Sequence, residues 1–170
     1  MPLSGTQLAV SASATLTSAL DLGTASAPQA LSRSMSLLTG TAAGQADRVF
    51  SDRRTLAASG TEDLDLAGTL LDAYGAAITF ARIKGLIIAA AAGNANNVVV
   101  GAAASAPWTT LLGATHTITL RPGAFVAVGT GTADATGYAV TATTADLLKV
   151  ANSGAGTSVT YDIHIIGASA

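Results

Sequence analysis

Glu62, Asp63 and Asp65 place three carboxylates within four residues. Carboxylate oxygens suit hard cations such as calcium. Asp63-x-Asp65-x-Ala67-Gly68 has the opening rhythm of a calcium loop, but its fifth position is Ala67 and its twelfth is Tyr74 where a bidentate acid is required. A solvated strand face, or pairing with arginines across a subunit contact, is the expected role. The basic residues Arg48, Arg53 and Arg54 could touch phosphates. Asp47 and Asp52 cancel much of that charge, and no aromatic stacking platform accompanies them. Nucleic-acid binding is therefore not expected, and inter-strand or inter-subunit ion pairs are. His116 and His164 each sit in an alternating segment, on its polar face. Either could act as a general base, but a Gly-x-Ser-x-Gly elbow is absent. Gly129-Thr130-Gly131 lacks the third glycine of a dinucleotide loop, and Gly154-Ala155-Gly156 lacks the lysine of a P-loop. These patterns predict no enzyme, no cofactor and no metal. Trp108, after Pro107, is either an interface anchor or a cap on the core.

The elements carrying these residues are set in an unusual background. Only 11% of the 170 residues are charged, where about 25% is usual. Hydrophobic residues make up 49%, many of them alanine. A net charge of −2 gives no field to hold nucleic acid or an anionic membrane. The chain has no cysteine, so disulfides and thiolate metal sites are excluded. A surface this poor in charge protects a free monomer badly against association. That points to a subunit packed against others, unless the composition reflects an alanine-rich codon bias. The residues from Met1 to Gly5 lack the basic and apolar regions of a secretory signal.

Period-two alternation dominates the chain. Leu8 to Thr17 puts its larger apolar residues on even positions and Ser11, Ser13, Thr15 and Thr17 on odd ones, which predicts a strand. Asp21 to Ser34, with Gly23, Pro28 and several serines, predicts a loop. Strands are expected at Arg48–Leu56, Glu62–Leu66, Ile78–Ile83, His116–Leu120, Ala124–Val128, Tyr138–Ala142, Asp146–Ala151 and Ser158–Ile166. Leu70 to Ala76 reads as a loop or a helical turn. "KGLIIAAAAGNANNVVV", residues 84–100, is too short to span a membrane, which takes about 20 apolar residues. Its glycines, asparagines and valines predict a strand, a tight turn and a second strand. The alanines would lie where sheets or subunits approach closely. The whole predicts an all-β fold, an antiparallel β-sandwich over residues 36–170, with residues 1–35 as an N-terminal strand and extended arm.

Gly44 to Asp52, Thr55 to Gly68, Ile78 to Lys84, Asn94 to Gly101, Asp146 to Ser153 and Thr160 to Ile163 resemble a family of virion structural proteins of tailed bacteriophages. The resemblance covers residues 40–170, and more weakly the first 40. It implies a non-enzymatic virion protein on a jelly-roll-like sandwich. It leaves three placements open: a capsid cement or decoration protein, a tail-tube or tail-tip subunit, and a head fibre. A soluble β-sandwich binding module stands outside the resemblance. The cement placement implies the capsid surface as location, the major capsid protein as partner, and self-association as a trimer. Arg48, Arg53, Arg54, Glu62, Asp63, Asp65 and Trp108 are then the interface candidates.

Overall fold

Alternation built on Ser, Thr and β-branched residues leaves little for a helix to bury, and strands dominate the result. The computed structural model describes residues 3–170; the reading of Met1 and Pro2 lies outside them. Strands β1 (Thr6–Leu20) and β2 (Gly23–Thr39) form one long antiparallel hairpin. The short β3 (Gln45–Ala46) pairs with the end of β2. Then follow β4 (Arg48–Leu56), β5 (Thr61–Asp65), β6 (Arg82–Ala90), β7 (Val98–Gly101), helix α1 (Thr109–Leu112), β8 (Thr117–Leu120), β9 (Phe125–Gly129), β10 (Tyr138–Ala139), β11 (Leu147–Asn152) and β12 (Val159–Ala168).

Two antiparallel sheets make the sandwich. One runs β10-β6-β12-β4, with β9 also on β6; the other runs β5-β11-β7-β8. Alternation decides what goes between them. Val159, Tyr161, Ile163 and Ile165 of β12 face inward with Phe50, Leu86 and Ile88. The second sheet answers with Leu64, Val98, Val100, Leu120, Leu148 and Val150. A register shift opposite Ile166 and Gly167 leaves Lys84 unpaired between Ile83 and Gly85, a β-bulge. Residues 84–100 supply two strands, as expected. They do not form a hairpin: β6 belongs to one sheet and β7 to the other, so the Gly/Asn segment crosses the sandwich.

The largest departure from expectation is residues 21–34. They are not a loop but most of β2, in register with β1 from Leu20↔Gly23 to Thr6↔Leu37. Proline is tolerated because β2 is an edge strand there: its far side carries no pairing until Leu38. Gly23 follows the two-residue turn, and the serines alternate with Leu31, Arg33, Met35 and Leu37 at period two. Leu70 to Ala76 is irregular, with Asp72 accepting hydrogen bonds from the backbone of Tyr74 and Ala76.

Candidate interaction surface

The hairpin has two unlike faces. Register puts Leu8, Val10, Ala12, Ala14, Leu16 and Leu20 with Met35, Leu31 and Ala27 on one side, interrupted by Ser18, Gln29 and Arg33. The other carries Gln7, Ser11, Ser13, Thr15 and Thr17 with Ser26, Ser32, Ser34 and Ser36. Only the base of the apolar face is covered. Leu8, Met35 and Leu37 pack with Ala46 and Ile166, against Val49 and Ile87, on the outer face of the β12 sheet. Gly85 and Gly129, paired across β6 and β9, make this contact possible. A Cβ at Gly85 would stand 2.8 Å from Cε of Met35, and one at Gly129 would stand 2.9 Å from Cδ2 of Leu8. The absent side chains are the sockets for the hairpin. Beyond the base the apolar face stands in solvent: Leu16 is 68% exposed, Leu20 61%, Leu31 58% and Leu22, at the tip, fully exposed. Fifteen residues of β1 extend about 50 Å, and an isolated two-stranded ribbon is at best marginally stable in water.

Where hairpin and sheet diverge they leave a groove of about 550 Å³, lined by Leu8, Val10, Leu31, Arg33, Met35 and the Gly129–Thr132 loop. Lys84 braces the junction. Its side chain has no exposed surface, and its Nζ donates to the carbonyl of Ala42, 2.6 Å away, in the turn between β2 and β3. Desolvation, then the charge of Arg82, pushes its amine below the ordinary lysine range.

Most of the polar residues singled out in the sequence are engaged within the chain; Asp63 and His116 stand exposed. Arg54, on the inner side of β4, donates to Glu62 at 2.9 Å and pairs with Asp52 at 3.2 Å. Its guanidinium lies 5.7 Å from the Phe50 ring centre. Tyr161 Oη donates to the other Glu62 oxygen at 2.6 Å. The Arg54–Glu62–Tyr161 set thus stitches β4 and β12 to β5, closing one side of the sandwich with charge-assisted hydrogen bonds. Burial first, and then the bond to Glu62, pushes the Tyr161 phenol far above its usual range. Arg53 grips Asp162 across the β4–β12 ladder at 2.6 and 2.9 Å, holding that carboxyl below its usual range. Both are exposed, so water screens the pair and it adds little to stability. Arg48 pairs with its neighbour Asp47. Asp65 accepts from the amide of Ala67 at 2.9 Å, as a turn cap. Asp63 faces Lys149 across the β5–β11 ladder and is exposed. Of the two readings of Trp108, the core cap is the one realised. It is 4% exposed, donates from Nε1 to the carbonyl of Ala139 at 2.8 Å, and meets Tyr138 edge-on.

His164 lies on the outer face of β12, opposite Ser51 and two residues from Asp162. Ser51, His164 and Asp162 line a shallow groove. Among the described residues, no hydrogen bond joins them, and Asp162 is committed to Arg53. Burial lowers the imidazole pKa. Among the described residues, no group of three or more His, Asp or Glu side chains converges on a metal position, and no helix is long and apolar enough to cross a membrane. No family model, curated protein or solved structure matches the chain.

Leu16 fell on the apolar face read for Leu8 to Thr17, but the exposed leucines of the second strand and the tip escaped the sequence reading. Their signal was there, in the alternation of Leu31, Arg33, Met35 and Leu37 with serines. The glycine and proline concealed it.

Proposed function

We propose that this protein is a non-enzymatic structural subunit of a tailed-phage virion, a cement or decoration protein that stabilises the head lattice through subunit–subunit contacts. The observation that carries this reading is the hairpin: a ribbon about 50 Å long, held at its base, with its apolar face open to solvent. An exposed apolar face of that kind marks a contact surface. The resemblance of residues 40–170 to phage virion proteins supplies the setting, with the major capsid protein as partner and the capsid surface as location. Serines and threonines on the other face of the ribbon keep it soluble until it docks.

The mechanism is mechanical. Each copy lays its ribbon across a joint between capsid subunits and hides apolar area that a dissociated shell would expose. Binding that exists only in the assembled state stabilises that state by linkage. A preformed ribbon loses less entropy on docking than a disordered arm would. Negative-stain imaging of virions with the protein labelled tests the reading. Label on heads supports it. Label on tails favours a tail-tube or tail-tip subunit, and absence from virions overturns it.

A further inference from the structure

We propose that two copies of this chain pair antiparallel through their hairpins, each tip seated in the groove at the base of the other. The pairing goes beyond the virion reading and does not rest on it: the two apolar faces cover each other in the free protein, and docking on a capsid exchanges that weak contact for the capsid joint.

The argument begins with charge. Between Leu3 and Ala46 the chain carries one anion, Asp21, and one cation, Arg33. Asp21 is at the tip, between Leu20 and Leu22. Arg33 is at the base, beside Val10 in the ladder, and lines the groove. From Val10 to Asp21 along the ribbon is about 36 Å. A two-fold axis at Thr15–Leu16 brings the tip of each copy level with Val10 and Arg33 of the other. One operation thus makes two Asp21–Arg33 pairs and stacks the two apolar faces. It also delivers Leu20 and Leu22, both exposed, to a groove lined by Val10, Leu31 and Met35. A self-complementary surface of this kind is what a two-fold contact requires. The stacked strip covers on the order of 400 Å² per copy, and the seated tips add to it. That is the small end of specific interfaces, so the dimer is weak and concentration-dependent.

The test uses the purified full chain. Sedimentation across the micromolar range should show a monomer–dimer equilibrium. Asp21→Arg alone and Arg33→Asp alone should each weaken it by roughly tenfold, reversing two contacts per dimer, while the double variant restores it. The chain has no cysteine, so a single introduced thiol reports proximity cleanly. Stacked faces lie about 10 Å apart, beyond disulfide reach, so a short bis-maleimide is the probe. Leu16→Cys should cross-link to a covalent dimer, and Thr17→Cys, on the opposite face, should not. A monomer at all concentrations, a trimer, failure of the double variant to restore pairing, or equal cross-linking at both positions overturns the proposal. None of these results bears on whether virions carry the protein.

Discussion

Glu62 shows how far a residue's role depends on which side of a strand it occupies. In the sequence it belongs with Asp63 and Asp65 as an acidic cluster. In the fold it turns inward with Leu64, toward Arg54 and Tyr161, while Asp63 points out. The alternation of acids and leucines was legible; that one acid would share the leucine side, because an arginine and a phenol from another sheet wait there, was not. Tyr161→Phe removes a hydrogen bond to a half-buried carboxylate and should cost about 1–3 kcal/mol, read as a lower denaturant midpoint with unchanged slope. His164 supplies a pH signature. Burial holds its folded-state pKa below the ordinary 6.5, so the unfolded chain binds the proton more readily. Stability should be level above about pH 6.5 and fall as pH drops toward the folded-state pKa. His164→Gln should flatten that limb in a series of thermal melts. The depressed carboxyls of Asp72, Asp134 and Asp162 weaken the fold only lower, as pH falls below about 4.

At the scale of elements, most strands were legible because period two is a local property. The Val159–Ile165 face and the two strands within residues 84–100 fell where alternation and β-branching put them. Pairing was not legible. Nothing within residues 84–100 says that β6 and β7 belong to different sheets, because partner choice depends on residues far along the chain. Gly85 makes the same point. It bounds an alanine-rich run in the sequence, and in the fold it is the socket for Met35. Gly85→Val would force branched methyls into the space held by Cε of Met35, only 2.8 Å from the Cβ position. The expected cost is about 1–3 kcal/mol. Hydrogen exchange should show faster opening around Leu8, Met35–Leu37 and Ile166, with β5 and β11 of the other sheet unchanged. Uniform acceleration across the sandwich would mean that the hairpin base is part of the same cooperative unit.

The molecule as a whole divides into a sandwich and a ribbon that meet only at the base. An arm followed by a sandwich was legible, but β2 continues to Thr39, past the expected boundary at residue 35. Replacing Ala12–Leu31 with Asn-Gly joins the paired Ser11 and Ser32 by a two-residue hairpin turn. It removes the exposed face and keeps the cluster of Leu8, Met35, Leu37, Ala46 and Ile166. Sandwich stability should change by about 1 kcal/mol or less, since most of the removed side chains are exposed. A large fall in the melting temperature would show that the ribbon supports the sandwich.

The position of β12 sets an order of events during synthesis. It is a central strand, between β4 and β6, and it follows every strand it pairs with. Until residue 168 has left the ribosome, the larger sheet lacks its middle and the sandwich core lacks Tyr161, Ile163 and Ile165. The hairpin needs only residues 6–39 and can close in microseconds. At ribosomal speed the remaining strands follow over roughly ten seconds. For that interval a nascent chain carries an apolar hairpin with no sandwich to hold its base, only marginally stable on its own, and chains on neighbouring ribosomes of one message carry the same hairpin side by side.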